Sequence, residues 1–498
     1  MSTTFPSELL PEVAEFLAGG PLGGVVGGRD VASAGGEVLT TLDPGSGRPL
    51  ATVYAMQPAD VDGAVRAAAE AFSASGWAEM SPQERGVLLH RLTDAVEKKN
   101  STLAQTEALD AGKLLAQAAG DVQNFVETMR YYIELSLRLE RRSPLAVARH
   151  EAWTVRHPWG PCGFIFPWNF PILLVGWNIA PALAAGNTVV IKPAEDTPLS
   201  AIWLARLARE VGIPAGVINV VPGFGPVAGA ALAGHPGLRR MSFTGSPEVG
   251  RSVAEACGRN LVPVKLELGG KGAAVVFDDA PLDATVEGLV GAITLHTGQV
   301  CCDATRWLVH RRVYDRFVAA AAGKLRQVRI GHPLDPASQM GPVVSDKQRR
   351  RVLGYLARGR EEGAQVILEG GPAIVPGWDG FYVKPALLAG SLGNVAAREE
   401  IFGPVAFLAP FDDEAQAVRM VNDTDYGLAN SVWTADLARA GRVAEAMASG
   451  NSWINAHNLF PHGVPYAGIH KSGLGGGVLS AETLLDYLRS LSVVRPLG

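Results

Sequence analysis

Residues 188–221 read TVVIKPAEDTPLSAIWLARLAREVGIPAGVINVV and contain a strand–helix–strand pattern. Residues 188–191 and 217–221 are short apolar runs of the kind found in buried strands. Residues 200–211, between them, have the apolar spacing of a helix. Because a helix joins two apolar strands, the stretch predicts a parallel strand pair with a crossover helix.

The same alternation extends in both directions from this unit. Further strands are predicted at 163–166, 241–243 and 273–277, and further helices at 226–233 and 246–256. A second series of strands and helices continues to about residue 454. On the N-terminal side, helices are predicted at 59–73, 81–98, 101–115 and 121–143, the second of them opened by a capping box at Ser81 and Glu84. The pattern predicts an α/β protein with two doubly wound parallel domains.

Length, charge and cysteine content exclude several classes of protein. A chain of 498 residues is too long for one core, so two or three domains are expected. A net charge of −5, without a run of Lys and Arg, excludes a nucleic-acid-binding face. The four cysteines form neither a disulfide framework nor a zinc-ligand pattern, which favours reduced thiols, a cytoplasmic location and no metal site.

One long apolar stretch resembles a membrane span. Residues 158–191 contain no Asp, Glu, Lys or Arg. An uncharged stretch of this length could cross a bilayer. The stretch also contains five prolines, whose backbone interruptions a lipid-exposed helix could not satisfy. Residues 1–20 lack the basic and apolar regions of a secretory signal. No membrane association is therefore expected.

Three motifs carry residue types suited to covalent catalysis. In GQVCC (298–302), Cys301 is a candidate nucleophile, although most free cysteines are small buried hydrophobes. In ELGGK (267–271), Glu267 is a candidate general base, and the alternative is an exposed loop acid. In PWNFP (167–171), the Asn169 amide could stabilise an oxyanion, or it could simply occupy a turn.

Three other motifs suit a dinucleotide. In KPAE (192–195), a Lys and a Glu follow a predicted strand, where either side chain could bind ribose hydroxyls. Residues 223–229 are rich in Gly but depart from the standard dinucleotide fingerprint. In FTGSP (243–247), Ser246 is a predicted N-cap, so free backbone N–H groups there could hold a phosphate. The alternative for each is ordinary strand-to-helix turn chemistry.

The order of these motifs is more specific than any one of them. PWNFP, KPAE, GFG, FTGS, ELGGK, GQxC and EIFGP (400–404) occur in a series that resembles the aldehyde dehydrogenase superfamily, non-acylating and NAD-dependent, over roughly residues 30–490. Glu267 lies 34 positions before Cys301. The resemblance implies two doubly wound α/β domains plus a small β oligomerisation element.

The resemblance also implies an activity. Cys301 would attack an aldehyde, while the Asn169 amide and the Cys301 backbone N–H hold the oxyanion. Hydride transfer to NAD would leave a thioester, which water activated by Glu267 would hydrolyse to the acid. A carboxylate at 267 favours water over CoA as the acyl acceptor. The alternatives are a CoA-acylating semialdehyde dehydrogenase and a catalytically silent family member.

The resemblance assigns cofactor and substrate positions as well. The cofactor positions are Phe166, Trp168, Lys192, Glu195, Gly225, Phe243, Gly245, Ser246, Leu268, Glu400 and Phe402. Because Glu195 would repel a 2′-phosphate, NAD is favoured over NADP, an effect that Lys192 would partly offset. The substrate tunnel positions are Phe170, Leu174, Trp177, Asp303, Phe460 and Tyr466. These aromatic residues suit apolar, aromatic or cationic aldehydes, unless they are plain core packing.

Three positions depart from the family pattern. Asn178 and Gly477 stand where relatives carry a Lys and a Glu that lie close together near the general base. We expect Glu267 to pass on its proton differently here, through water held by Asn178. Asp303 replaces a small neutral residue and could favour an amino- or trimethylammonio-aldehyde such as betaine aldehyde, or it could point away and cap a turn.

The expected domains follow from the same resemblance. Residues 1–126 and 150–266 are predicted to bind NAD, and residues 267–456 to form the catalytic domain. Residues 457–476 are predicted to line the tunnel, and residues 127–149 with 477–498 to form the bridging and oligomerisation element. A lone strand predicted at 490–494 needs a partner, which favours pairing across a subunit boundary in a homodimer or homotetramer.

Overall fold

The computed structural model describes residues 5–497. It confirms the α/β fold with parallel sheets that the sequence predicts. The strands, numbered β1 to β22 along the chain, are Gly24–Val26, Arg29–Val31, Val38–Asp43, Arg48–Tyr54, Arg142–Val147, His150–Pro158, Pro161–Ile165, Thr188–Lys192, Ile218–Val220, Arg240–Thr244, Val264–Glu267, Gly272–Val276, Ala304–His310, Gln365–Leu368, Gly371–Pro372, Val383–Lys384, Ala386–Ala389, Val405–Phe411, Ala429–Trp433, Asn451–Ile454, Gly473–Leu474 and Leu488–Pro496. The helices, α1 to α16, are Pro11–Ala18, Pro58–Ala74, Pro82–Lys98, Asn100–Ala111, Leu115–Leu137, Pro171–Ala185, Leu199–Glu210, Ala230–Ala233, Pro247–Arg259, Leu282–Thr294, Tyr314–Arg326, Asp346–Glu361, Val395–Arg398, Glu414–Asn422, Leu437–Ala446 and Ala481–Asp486.

The first large sheet contains the strand–helix–strand unit predicted at 188–221. Its order is β2-β1-β9-β8-β7-β10-β11-β21, and the pairs from β9 to β11 are parallel. Every residue of β8 is buried, with Val189 and Ile191 in one core and Val190 in another. Alternate side chains of a strand point to opposite faces, so helices cover both faces of this sheet.

The second large sheet has the order β14-β17-β18-β13-β12-β19-β20 and is parallel apart from the β14–β17 pair. Along β12, Ala274 and Val276 face one core, while Ala273 and Val275 face another. This alternation again indicates a sheet covered by helices on both faces. The two sheets together provide the two doubly wound units that the sequence predicts.

A third sheet corrects the prediction for the C-terminal strand. The order is β22-β6-β5, so the last strand pairs within its own chain, antiparallel to His150–Pro158. Residues 490–494 therefore have a strand partner in their own chain, along one edge of β22. The sheet leaves Leu145 and Val147 of β5 and Leu491 and Val494 of β22 exposed.

The same region corrects two helix limits. The helix predicted at 121–143 is Leu115–Leu137, and the one predicted at 101–115 ends at Ala111. Gly112 has φ +77°, a left-handed conformation that ends the helix. Residues 127–137 belong to a helix that packs on α6, and residues 150–158 belong to the third sheet.

The arrangement of the two large sheets positions the site. Strands β10 and β11 end at Thr244 and Glu267, at the carboxyl edge of the first sheet. The chain then crosses directly to Gly272, where the second sheet begins, and Cys301 lies just before β13 of that sheet. Ligands of open α/β sheets bind at such carboxyl edges. Within residues 5–497, no helix is long and apolar enough to cross a membrane.

Candidate active site

A cavity of about 740 Å³ lies where the two large sheets meet. Most of the residues predicted from the sequence line it: Trp168, Asn169, Phe170, Leu174, Trp177, Gly245, Ser246, Leu268, Cys301, Glu400, Phe402, Phe460 and Tyr466. These residues come from the first sheet, from α6, from the loop before β13 and from the C-terminal segment. The structure therefore brings the thiol, the amide and both sets of predicted binding residues around one space.

The segment before the thiol has a strained backbone. His296, Thr297 and Gly298 have φ values of 44°, 60° and 71°, in the left-handed region that residues other than Gly rarely adopt. Two hydrogen bonds hold the segment. The Thr297 hydroxyl donates to the Gly341 carbonyl at 2.9 Å, and the Gln299 amide donates to the His296 carbonyl at 3.0 Å. Gln299 of the GQxC motif thus anchors the loop that carries the thiol.

The two adjacent thiols have different surroundings. Cys301 lies on the cavity with its sulfur 3.6 Å from the Tyr466 hydroxyl. The adjacent Cys302 thiol lowers the pKa of Cys301, and burial opposes this effect. Burial raises the pKa of Cys302, whose thiol donates to Asn458 Oδ1 at 3.3 Å. Cys301 is therefore the thiol suited to nucleophilic attack.

Asn169 lies beside Cys301 on the cavity wall. Its Nδ2 donates one hydrogen bond to the Gln299 carbonyl at 3.0 Å, and an amide nitrogen has a second N–H to offer. The backbone N–H of Cys301 has no acceptor among residues 5–497. Two N–H groups are thus free beside the sulfur, and this is the arrangement that an oxyanion requires.

Glu267 lies behind the cavity wall. It is the last residue of β11 and is 6% exposed, and neither carboxyl oxygen has a hydrogen-bond partner in the described chain. Its neighbour Leu268 and its cross-strand partner Thr244 line the cavity. Burial raises the pKa of Glu267 well above its ordinary value, and the Cys301 charge adds to this, while Lys265 lowers it. A buried carboxyl group with a raised pKa can act as a base near neutral pH.

The glycines of ELGGK allow a close approach of the two halves of the site. A Cβ at Gly269 would overlap the Glu400 carboxylate, and a Cβ at Gly270 would overlap the Cys301 carbonyl. The Gly270 N–H donates to Glu400 Oε1 at 2.8 Å. Both glycines are therefore needed so that the Cys301 loop and the Glu400 side chain can pack closely against the end of β11.

The predicted cofactor residues fit a dinucleotide. Ser246 caps α9 and accepts a hydrogen bond from the Val249 N–H at 3.3 Å, while Ser246 itself lies on the cavity. Helix N-termini of this kind bind phosphate. Lys192 and Glu195 form an ion pair at 3.0 Å, and Gly225 lies next to Glu195. This polar pair lies beyond the cavity lining and is suited to ribose hydroxyls.

The side chains of two predicted cofactor residues, Phe166 and Phe243, pack in hydrophobic cores. The Phe166 side chain packs in the core with Phe164, and its backbone N–H donates to the Lys192 carbonyl. The Phe243 side chain is also buried in a core and does not line the cavity. Phe243 precedes Thr244 in β10, and alternation along the strand directs Thr244 to the cavity and Phe243 away from it.

The predicted substrate tunnel is aromatic. Trp177, Phe460 and Tyr466 surround one another, with ring centroids 5.4 to 5.7 Å apart. The Trp177 indole N–H donates to Asn124 Oδ1 at 2.7 Å, which fixes the ring. Phe170 and Leu174 complete this side of the cavity. The wall is apolar and preorganised, as small-molecule sites usually are.

Asp303 is buried and is not among the residues that line the cavity. Burial raises the pKa of Asp303 to about 7, with an opposing contribution from Lys271. The neighbouring Cys302 carbonyl accepts a hydrogen bond from His457 Nε2 at 2.9 Å, which fixes this part of the loop.

Sequence reasoning missed three residues of the site. His457 anchors the loop after the thiol, Gln299 anchors the loop before it, and Lys265 lies buried on the same strand as Glu267. The two-residue period of a strand could have identified Lys265, because residues two apart share a face. The His457 contact with the Cys302 carbonyl and the bond that Gln299 Oε1 accepts from the Val344 N–H join segments far apart in the sequence, so they carry no local signal. No group of three or more metal-ligating side chains occurs within the described range.

Known proteins resemble this chain over nearly its whole length. The model described as the aldehyde dehydrogenase family matches residues 31–493. An aldehyde dehydrogenase of Emericella nidulans is 39% identical over 96% of both chains, and a betaine aldehyde dehydrogenase of Mesorhizobium japonicum is 38% identical over 94% of this chain and 96% of that protein. A solved structure of an aldehyde dehydrogenase from Bacillus cereus in complex with NAD+ has a TM-score of 0.95 and 37% identity, and the match covers 99% of each chain. The chain belongs to the aldehyde dehydrogenase family.

Proposed function

We propose that this protein oxidises an aldehyde to the carboxylic acid with NAD, using Cys301 as nucleophile, Asn169 as oxyanion donor and Glu267 as general base. The observation that carries the proposal is the placement of Cys301 and Asn169 on one cavity, with the unpartnered Glu267 carboxyl group directly behind its wall. Family membership and the Bacillus cereus NAD+ complex support the activity and the cofactor.

In the first half of the reaction, the Cys301 thiolate forms a bond to the aldehyde carbon. The carbonyl oxygen becomes an oxyanion, which the Asn169 amide and the Cys301 backbone N–H bind. Removing one such donor typically costs about 3 kcal/mol of transition-state stabilisation. When bound, the nicotinamide ring accepts the hydride that leaves this carbon. Reformation of the carbonyl group then gives a thioester on Cys301.

In the second half, Glu267 takes a proton from a water molecule. The water oxygen bonds to the thioester carbon, the C–S bond breaks, and Cys301 leaves as the thiolate. The Glu267 carboxyl group accepts this proton readily because its pKa is raised by burial. Its two oxygens form no bond to the described protein, so they are available to the water.

The cofactor groups favour NAD over NADP. Lys192 and Glu195 would bind the adenosine ribose, and the N-terminus of α9 at Ser246 would bind the pyrophosphate. Glu400 and Phe402, on the cavity, would bind the nicotinamide ribose. The Glu195 carboxylate disfavours a 2′-phosphate, and its ion pair with Lys192 leaves that lysine less free to attract one.

The substrate class is an apolar aldehyde. The tunnel is lined by aromatic and aliphatic side chains, and Asp303, the residue that suggested a cationic substrate, is absent from it. Transfer of a fixed positive charge into such a wall is costly, and cation–π contacts only partly offset the cost. We expect kcat/KM for hexanal to exceed that for betaine aldehyde and for 4-aminobutanal by at least about tenfold. A preference for either cationic aldehyde would contradict this assignment.

The test of the function is an aldehyde panel with NAD and with NADP, followed by NADH absorbance. We expect turnover with NAD, the carboxylic acid as product and no reaction in the C301A variant. Formation of acyl-CoA when CoA is added would instead identify a CoA-acylating enzyme. If no aldehyde is oxidised and a thiol-reactive probe labels Cys301 no faster than Cys257, the chain is a silent member of the family.

We also propose a homo-oligomer in the cytoplasm. The third sheet exposes apolar side chains on both of its outer strands, which suits association with a second copy. All four cysteines are free thiols, which suits a reducing compartment. Light scattering after gel filtration should give the mass of a dimer or tetramer, and a mass of one chain would contradict the oligomer.

A further inference from the structure

A buried lysine lies next to the general base on the same strand. Lys265 and Glu267 are two residues apart in β11, so their side chains share one face of the first sheet. Their cross-strand neighbours in β10 are Ser242 and Thr244. The lysine is therefore directly below the carboxyl group, on the side away from the cavity.

Among residues 5–497, Lys265 forms no salt bridge. Its side chain is 0% exposed, and within the same range the one hydrogen bond of its Nζ is to the Gly477 carbonyl, at 3.3 Å. The Nζ lies 5.6 Å from the centroid of the Tyr487 ring. A buried, unpaired ammonium group is costly, and such groups cluster at functional sites.

The charged groups around this pair come from four elements. Arg240 faces Lys265 from β10, and Asp486 faces it from the end of α16. Cys301 and Tyr466 face Glu267 from the catalytic loop and the C-terminal segment. Asp486 is paired with Arg240 at 3.4 Å. Lys265 is therefore the cation that acts on Glu267, and Cys301 is the group that opposes it.

The helix on the other side contributes no charge. Asn178 of α6 accepts a hydrogen bond from the Ser242 hydroxyl at 3.0 Å and donates one to the Leu174 carbonyl at 2.9 Å. Its side chain is thus occupied by protein groups, which argues against the water-held relay expected from the sequence. A Cβ at Gly477 would overlap the Tyr466 carbonyl, so no acidic side chain fits there.

We propose that Lys265 is a positioning residue for the general base, whose ammonium group keeps the Glu267 carboxyl group ionised while water attacks the thioester. This inference rests on the proposed function, because it assigns Glu267 the role of base. It explains how Asn178 and Gly477 can replace the charged pair found in relatives: the cation comes from the strand below Glu267 instead of from the helix. Burial lowers the pKa of Lys265 to about 8, while Glu267 opposes that effect, so the lysine is largely protonated near neutral pH.

The test is the Lys265→Met variant, which removes the charge and keeps the length of the side chain. Hydrolysis of 4-nitrophenyl acetate reports on the acyl-enzyme without NAD, because the ester acylates Cys301 directly. We expect a normal initial burst of nitrophenol, since acylation does not use Glu267. The steady-state rate should fall about tenfold near neutral pH and recover at higher pH. The acid limb of the pH–rate profile, where the rate falls as Glu267 becomes protonated, should shift up by about one pH unit.

Matched variants separate the charge from the packing. Ser242→Ala alters the same buried layer without removing a charge and should leave the acid limb unchanged. Lys265→Arg keeps the positive charge and should leave the acid limb of the pH–rate profile at the pH found for the unaltered protein. Asn178→Lys alone places a second cation beside Lys265 and should lower Tm, whereas Asn178→Lys combined with Lys265→Met should restore the limb because the cation is supplied from α6.

Two results would overturn the inference. One is an acid limb in Lys265→Met that coincides with that of the unaltered protein, and the other is an equal loss of rate at every pH, which a purely structural role would give. Glu267→Gln distinguishes this failure from failure of the proposed function. If Glu267→Gln keeps its steady-state rate, the assignment of the base is wrong; if it loses that rate while Lys265→Met is unaffected, only the role of Lys265 is wrong.

Discussion

Cys301 and Cys302 are neighbours in the chain and both border the cavity, but their environments differ. Cys301 lies beside the Tyr466 hydroxyl, and its pKa is lowered, chiefly by the Cys302 thiol. Cys302 is 1% exposed within an apolar cluster with Trp177, and burial raises its pKa. The comparison indicates that the burial and the hydrogen-bond partners of each thiol set its reactivity.

The backbone explains the difference. The left-handed residues before Gln299 turn the loop, and hydrogen bonds from His457 and Gln299 hold it on both sides of the thiols. Cys301 is thereby held beside the Tyr466 hydroxyl, and the Cys302 thiol donates to Asn458 Oδ1. The strain is localised at the residues that position the nucleophile, where strained backbone is commonly found.

The largest effect should come from removing each thiol in turn. Cys301→Ala should lower kcat for aldehyde oxidation by at least about 10³-fold, because no covalent intermediate can form. Cys302→Ala should retain the activity within about tenfold, since it removes a group that only lowers the pKa of the nucleophile. Steady-state NADH formation measures both. Equal losses of NADH formation in the two variants would show that the two thiols do not have different roles.

A second prediction sharpens the comparison, because a variant that cannot hydrolyse the thioester should accumulate it on Cys301. Glu267→Gln should lower steady-state turnover by about 10²- to 10⁴-fold, the usual contribution of a general base. It should preserve a rapid burst of NADH of one equivalent per site, because acylation of Cys301 needs no base at 267. Stopped-flow absorbance measures the burst, and its absence would show that Glu267 acts before hydride transfer.

The third prediction uses the opposite pKa shifts. Thiolate is the reactive form, so the lowered pKa of Cys301 makes it react at lower pH, while the raised pKa of Cys302 keeps it a thiol until higher pH. Iodoacetamide should label Cys301 at least about tenfold faster than Cys302 near neutral pH. Peptide mass spectrometry measures the two rates. Faster labelling of Cys302 would contradict the assignment.

The smallest expected effect concerns stability, where the order of the two variants should be the reverse of their order for activity. Cys302→Ala removes a sulfur from a packed apolar cluster and should cost about 1 kcal/mol of the free energy of unfolding. Cys301→Ala, at the cavity surface, should cost less than about 0.5 kcal/mol. Denaturant unfolding of both variants measures the difference. A larger cost at Cys301 would mean that its role is mainly structural.

The general fold and much of the site could be predicted from the sequence. Apolar runs at 188–191 and 217–221 around a helix predict parallel strands because a buried strand needs apolar residues on both faces. Cys301 and Asn169 were identifiable because their motifs occur in a series that resembles the aldehyde dehydrogenase superfamily. The burial of the Phe166 and Phe243 side chains could not be predicted, because it depends on which face of the sheet each side chain occupies.

Other features depend on contacts between distant segments. The glycines of ELGGK are required by Glu400 and the Cys301 carbonyl, which lie far away in the sequence. The location of Asp303 away from the tunnel depends on how the loop is anchored by His457. The pairing of β22 with β6 depends on the return of the C-terminus to its own chain. No local pattern contains this information.

The central claim is that Cys301 carries the acyl group in aldehyde oxidation, and the most direct measurement is the mass of the trapped intermediate. Glu267→Gln, with and without Cys302→Ala, is mixed with hexanal and NAD and analysed by intact-protein and peptide mass spectrometry. We predict a hexanoyl group in both variants, located on Cys301. Absence of the adduct when Cys302 is removed, or its location on Cys302, would contradict the claim.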